Sequence, residues 1–547
     1  MIHLTVNDKT AAFPKGTHLA DALAGLLGDD QHVLGAMNGG VVLELNAPLL
    51  RDMTVKPLTY ADDEGRRIYE RTLRFLFLMA IERLWPGQRV RIEHSLGSGL
   101  YITLEGITVN REIIKTLEKE MHSLSRADLP LMRERWSRER AMNYFRDRGQ
   151  MDKVRLLSYR PYSHIYMYTC GSMCEYFYGA MLPSTSYTRV FGLKVNAPGL
   201  ILQLPSQENP DTVAKAARLP KHQLAFHESN EWCRILKCVN VADLNDMIVR
   251  NELRNFIRVN EALHDKSIAR IAEGIVKRRS RAVFIAGPSS SGKTTFAHRL
   301  MIHLQVFGLT PKIISLDDFY RRREEIPLQK DGSYDFEHLD ALDLPQFNAV
   351  MKDLMEGKEA CLPKYLFGMG PSDEKQPPMR LEKGQILIIE GIHGLNPKLH
   401  TAFKKEELSR VYISELTCLN LDDHNRIRTT DARLLRRIVR DYQFRGHHPD
   451  GTLSMWPSVR AGEEKWIFPY QEQADFVFNS VLHYELPVLR NAAFDVLDAI
   501  EPENPNYLAS RRLIKMLHYL LPAPPEVISE IPPTSLLREF IGGCSFY

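Results

Sequence analysis

The chain has 547 residues, more than one hydrophobic core normally serves, so its length predicts roughly two to four domains. An apolar fraction of 44% with a formal charge of +3 excludes a chain disordered throughout and one that binds nucleic acid through bulk charge. Seven cysteines without C-x-x-C spacing read as reduced thiols, and the lack of a leader pattern or of an apolar run of ~18 residues predicts a cytoplasmic protein with no membrane association.

From residue 1 to 62, Ile2, Leu4 and Val6 alternate as a strand, Asn7-Asp8 offers a turn, and a second strand runs through Phe13. Thr17 is placed to cap a short helix carrying Leu19, Leu23 and Leu26, and Asn38-Gly39 before Val41-Val42-Leu43 signals a hairpin. The pattern predicts a small β-grasp module. It resembles the TGS domain of threonyl-tRNA synthetases in length and in its order of strand, helix and Asn-Gly turn.

Residues 63–225 carry Gly97-Ser-Gly-Leu-Tyr101, the helical run Leu117–Met121, Ser137-Arg-Glu-Arg-Ala141 leading to Lys153, and Gly179 followed by Pro183-Ser-Thr185. This block resembles the second additional, editing domain of threonyl- and alanyl-tRNA synthetases, which implies an α+β module. Where those domains place metal-binding His and Cys residues, this chain has Arg71, Phe75, Phe177 and Met181. A guanidinium, two phenyl rings and a thioether make no such site. The resemblance implies a binding module for an RNA end, a nucleotide or a partner, or a scaffold. His94 and His164, each isolated in the sequence, read as structural or surface groups.

Residues 226–280 predict helical connectors, with Leu253, Phe256, Ile257, Leu263, Ile268, Ile271 and Ile275 at helical spacing. The next stretch, 281–500, opens with the buried-strand pattern Arg281–Ala286, which ends at Gly287-Pro288-Ser289-Ser290-Ser291-Gly292-Lys293-Thr294, a complete Walker A sequence. Glycine lets backbone N–H groups wrap a phosphate chain, and the helix that follows, from Thr295 onward, adds its positive end. The phosphate chain of a nucleotide is the expected ligand, and the loop alone fits a kinase, an ATPase motor or a GTPase. Lys293 is assigned to the β- and γ-phosphates, and the Thr294 hydroxyl to Mg2+.

Two further strands, Lys312–Leu316 and Gln385–Ile389, deliver Asp317-Asp318 and Glu390 at their carboxyl ends, where ligands bind in open α/β sheets. A carboxylate of the Asp317-Asp318 pair is placed to take a substrate hydroxyl's proton, and Glu390 is the expected Mg2+-side acid.

Ile314–Tyr320, Asp335–Asp340, Pro363–Phe367, Glu390–Ile392 and Arg436–Gly446 resemble, in this order, the uridine kinase and phosphoribulokinase group of P-loop kinases. The resemblance implies a mostly parallel sheet, Asp317 as catalytic base, Tyr320 at the nucleoside, Glu337 on ribose hydroxyls, and Tyr365 and Phe367 flanking the base. It also places Arg437 at the acceptor ribose, with Arg440 and Arg445 nearer the phosphates. Gly370 stands where the family has a base-reading histidine, His447 where it has a further arginine, and the stretch from Gly451 to Phe468 differs from the short lid of uridine kinases. The Pro-rich end, 501–547, predicts a helix near Arg511–Leu521 and an extended tail, apolar enough to dock at a place the sequence does not name.

The expected whole is a multidomain α/β and α+β chain: an ATP- and Mg2+-dependent kinase of a nucleoside such as uridine or cytidine. Two alternatives stay open, a sugar-phosphate kinase and an ATP-dependent regulator that binds RNA or tRNA through the synthetase-like half. A homo-oligomer is admitted.

Overall fold

The structure is a computed structural model that describes residues 1–28, 32–329, 332–366, 370–374 and 376–546. Strands Ile2–Val6 (β1) and Lys9–Phe13 (β2), helix Leu19–Leu27 (α1) and strands Gly35–Asn38 (β3), Val41–Leu43 (β4) and Met53–Leu58 (β5) form one sheet in the order β2-β1-β5-β3-β4. β1 pairs antiparallel with β2 and parallel with β5. Leu4, Val6, Leu19, Leu23 and Val55 fill its core. The helix start departs from expectation, because His18 holds the N-cap position without a side-chain cap. Thr17 instead donates its hydroxyl to Pro14 O, closing the turn before it.

Helix Asp63–Leu84 (α2) then leads into strands Val90–Leu96 (β6) and Gly99–Leu104 (β7), helix Arg111–Arg126 (α3) and strand Met132–Ser137 (β8). Helices Arg138–Asp147 (α4) and Met151–Ser158 (α5) precede strands His164–Cys170 (β9), Met173–Glu175 (β10), Gly192–Asn196 (β11) and Gly199–Gln203 (β12). Two antiparallel sheets result, β11-β12-β7-β6 and β10-β9-β8, with α2 and α3 buried against them. α2 is buried on nearly every side, including Arg67, Glu70, Arg71 and Arg74. Charges at such depth persist when paired; Glu70 meets Arg426 and Arg428, both far along the chain.

Helices Pro220–Ile235 (α6), Val241–Val249 (α7) and Leu253–Lys277 (α8) connect to the last region. Its framework is strand Ala282–Ala286 (β13), helix Lys293–Val306 (α9), strand Thr310–Ser315 (β14) and helix Leu344–Met355 (α10). The short strands Glu359–Ala360 (β15), Tyr365–Leu366 (β16), Gly370–Pro371 (β17) and Met379–Arg380 (β18) form two small ladders before Gln385–Glu390 (β19) and Leu408–Ser414 (β20). A hairpin of Asn420–Asp422 (β21) and Asn425–Arg426 (β22) precedes helices Thr429–Phe444 (α11) and Pro449–Trp466 (α12), and strand Phe476–Asn479 (β23) closes the sheet. All of its neighbours, β14-β19-β13-β20-β23, run parallel. β13 is buried at every residue, as a strand with both faces covered must be.

After Glu485–Asp498 (α13) and Tyr507–Leu517 (α14), the chain end is not extended as the prolines predict. It folds into the short helices Pro525–Ile528 (α15) and Arg538–Ile541 (α16), with Leu536, Leu537 and Phe540 in the main core. Arg538 holds this turn together by donating to the carbonyls of Ile531, Ile528 and Gly542. No helix among the described residues is long and apolar enough to cross a membrane.

The β21–β22 hairpin enters the synthetase-like block. Asn420 Nδ2 donates to Ile92 O at 2.8 Å, Ile92 N to Asp423 O at 2.8 Å, and Arg89 Nε to Asp423 at 2.7 Å. Behind it, Lys153, with no side-chain exposure, lies 3.4 Å from Asp422 and 3.5 Å from Glu175. Arg71, Phe75, Phe177 and Met181 are all buried: Phe75 meets Phe177 edge-on at 6.4 Å, and the Arg71 guanidinium fills the space under Gly179 and donates to Ala180 O. His94 is buried and stacked on Phe226 at 3.7 Å, whereas His164 is exposed.

Candidate functional site

The loop between β13 and α9 takes its shape from three backbone demands. A Cβ on Gly287 would lie 2.1 Å from Ile413 O, so only glycine lets the loop approach β20. Ser290 and Gly292 both have positive φ, 59° and 87°, the left-handed turns that a compact phosphate-binding loop uses. Lys293 then opens α9, and its Nζ lies 3.2 Å from Pro288 O, folded across the loop.

β14 and β19 bring two carboxylates to the same end of the sheet. Glu390 Oε1 accepts from Thr294 Oγ1 at 3.4 Å and from Ser315 Oγ at 3.1 Å. Burial, with Asp317 adding to it and Lys293 opposing, pushes the Glu390 carboxyl up to about 7. Asp317 is raised by burial as well, against the attraction of Lys293 and Arg445, while burial lowers Lys293 against the pull of Glu390 and Asp317. Two hard oxygen donors, the Thr294 hydroxyl and the Glu390 carboxylate, thus converge beside the loop. This donor set suits Mg2+.

The structure separates the adjacent acids. Asp318 turns away to accept from Tyr365 N at 3.2 Å and Gln376 Nε2 at 2.9 Å, fixing the β16–β17 hairpin, while Asp317 feels the positive charge of Lys293. Tyr320 donates to Phe336 O at 3.0 Å, and its ring lies 5.7 Å from that of Tyr365. Phe367 lies outside the described residues.

Glu337 sits under α12. A Cβ on Gly462 would fall 2.2 Å from Glu337 Cβ, so the glycine is what allows this helix to lie across the acid. Burial, reinforced by Glu463, pushes Glu337 up to about 7. Glu337 Oε2 and Trp466 Nε1 are buried without a protein partner, and His393 is buried beside the backbone of Glu337 and His338. The His338 ring contacts Trp466 at 4.4 Å, and Trp466 approaches His393 at 6.5 Å, so these groups share one neighbourhood.

α11 supplies the arginines. Arg437 donates to Ser289 Oγ at 2.9 Å and to Asp441 at 3.1 Å, and Arg445 reaches Asp441 at 3.3 Å. Arg440 donates to Ser290 Oγ at 3.4 Å and to Glu539 at 3.0 Å. Two pairings escaped the sequence reading. Arg433 pairs with Glu463 and donates to Ser289 O, while Glu463 accepts from Ser289 N at 3.2 Å; Arg436 pairs with Glu485 and Ser480. Helix spacing along α11 exposes the arginines as a set, but their acids lie 30 and 49 residues downstream, beyond any local pattern.

A fully parallel sheet, a phosphate-cradling loop and carboxylates at the strand ends define a nucleotide-binding P-loop domain. More particularly, residues 282–486 match the model of the Phosphoribulokinase / Uridine kinase family, and this stretch is a domain of that family. A uridine kinase of Lactobacillus johnsonii is 28% identical over 201 residues, 37% of this chain and 86% of that protein. The N-terminal half matches threonine-tRNA ligases; that of Symbiobacterium thermophilum is 29% identical over 198 residues, 35% of this chain. The chain spans 30% of that ligase's length. Among solved structures, a possible uridine kinase from Bacillus stearothermophilus aligns over 39% of this chain and 98% of its own, with 19% identity and a TM-score of 0.27.

Proposed function

We propose that this protein is an ATP-dependent phosphotransferase that moves the γ-phosphate to a hydroxyl of an uncharged, polyhydroxylated acceptor, a nucleoside such as uridine or cytidine first among them. The observation that carries the proposal is the meeting of Lys293, Thr294, Asp317 and Glu390 at one end of a parallel sheet. Loop amides and Lys293 bind the phosphate chain. Asp317 accepts the acceptor's hydroxyl proton as the new O–P bond forms and the bond to the β-phosphate bridging oxygen breaks, releasing ADP. A base raised by burial is better matched to that proton than an exposed carboxylate. Arg440 and Arg445 offset charge along the donor's phosphates, and Arg437 and Glu337 position the acceptor. Thr294 and Glu390 would hold magnesium, which would supply neutralisation of phosphate charge.

The acceptor side favours a neutral molecule. Glu337, neutral His393 and Trp466 offer hydrogen bonds suited to hydroxyl groups. The test is ATP consumption with Mg2+ against nucleosides and sugar phosphates, products identified by mass. Nucleoside monophosphate is the expected product; turnover confined to sugar phosphates would overturn the acceptor assignment.

A second reading rests on the likeness of the N-terminal half to threonine-tRNA ligases: an ATP-dependent regulator that binds RNA. Salt-sensitive tRNA binding that changes with ATP would favour it, and no binding at low salt would remove it.

A further inference from the structure

The segment after Pro532 lies against the loop from Gly287 to Thr294. A Cβ on Gly292 would fall 1.8 Å from Leu536 Cδ2, so Leu536 packs directly on the loop's last glycine. Glu539 accepts from Thr295 Oγ1 at 3.0 Å and from Arg440 Nη1 at 3.0 Å. Thr295 is the residue just past the loop, where a helix start offers its amides and hydroxyl to an anion, and Arg440 is the arginine assigned to phosphate. The Glu539 carboxylate therefore stands on two groups that a nucleotide's phosphate would use. The Phe540 ring is fully buried, 5.2 Å from the Arg436 guanidinium and 5.8 Å from that of Arg440. A flat ring facing two guanidinium planes is the contact a purine base would make there.

We infer that the base and the first phosphate of the donor nucleotide bind where Leu536, Glu539 and Phe540 now lie, and that this segment is a built-in competitor which ATP must displace. Glu539 stands in for phosphate and Phe540 for the base. The chemistry supports competition over cooperation: an acidic side chain on Thr295 and Arg440 repels a triphosphate, and its charge also reaches Lys293 and Glu390. The consequence is a conformational tax, in which apparent ATP affinity is reduced by the fraction of molecules whose segment is in place. The inference rests on the reading of the loop as an ATP site.

The experiment is equilibrium ATP binding to the full chain, to E539Q and to F540A, with melting temperatures recorded and deuterium uptake of residues 534–541 followed with and without ATP. Glu539→Gln keeps shape and removes only charge, so it remains informative if Phe540→Ala loosens the fold. We expect ATP to bind about tenfold more tightly to E539Q and to speed deuterium uptake in the wild-type segment. ATP binding seen only in the variants supports the same inference in a stronger form. Wild-type binding that is unchanged or weakened in E539Q, with ATP slowing uptake, would make the segment a wall of the site and overturn the inference while leaving the kinase reading intact. Failure of all three proteins to bind ATP would overturn both.

Discussion

Thr294 and Glu390 stand 96 residues apart in sequence and meet at 3.4 Å, hydroxyl to carboxylate, where the first turn of α9 abuts the end of β19. Their meeting follows from the register of β19 between β13 and β14, which sets Glu390 opposite Ile285 on one side and Ser315 on the other. Glu390→Gln keeps the shape and removes the charge. The expected result is a ~10²-fold loss of phosphoryl transfer at saturating ATP, since neutralising phosphate charge is worth several kcal/mol. ADP release measured across a range of Mg2+ concentrations checks it.

Lys293→Ala removes the cation that spans the loop. Transfer should fall by ~10³-fold or more, because charge on the moving phosphoryl group is stabilised mainly by prearranged donors. Steady-state kinetics with the best acceptor measures this, and an activity within tenfold of wild type would contradict the assigned role.

Glu337 makes a prediction about pH. Its carboxyl rises from about 4.5 to about 7 on folding, chiefly through burial. The folded chain therefore holds this proton more tightly than the unfolded one, so stability from this group is full below about 4.5 and is lost as pH rises through 7. Glu337→Gln cannot ionise. It should be more stable than wild type at pH 8 by on the order of 1–3 kcal/mol, with the gain vanishing as pH falls toward 4.5. Urea unfolding of both proteins at a series of pH values gives the comparison.

Lys153 tests the union of the two halves. It balances Asp422 from the hairpin and Glu175 from the synthetase-like block at a fully buried position. Lys153→Ala strands two acids, and the expected cost is roughly 3–5 kcal/mol. A fall in melting temperature shared by both halves is predicted, because the lost cation belongs to their common seam. An unchanged melting temperature would show the hairpin to be held by other contacts.

Local pattern made the phosphate loop legible, since Gly287–Thr294 follows an apolar strand and opens a helix. It also placed Asp317 and Glu390 at strand ends, because fully buried parallel strands read as short apolar runs. Pattern could not say which of Asp317 and Asp318 faces Lys293; that depends on the β16–β17 hairpin claiming Asp318. Glu463, Glu485 and Glu539 were invisible as partners of Arg433, Arg436 and Arg440 because each pair closes over 30 to 99 residues. The chain end misled for a related reason. Its prolines predict extension, yet Leu536 and Phe540 gain more by burial than the backbone loses by turning. The place of the β21–β22 hairpin likewise depends on Arg74, Arg89 and Lys153, all remote in sequence.

The central claim is that Asp317 takes a proton from an acceptor hydroxyl as the γ-phosphate moves to it. The most direct measurement is transfer of γ-labelled phosphate from ATP to uridine by wild type and Asp317→Asn, with ATP affinity measured on the same samples. The account predicts labelled uridine monophosphate from wild type and a loss of ~10²-fold or more in the variant, with ATP binding unchanged. Near-normal transfer by Asp317→Asn with ATP bound would contradict it.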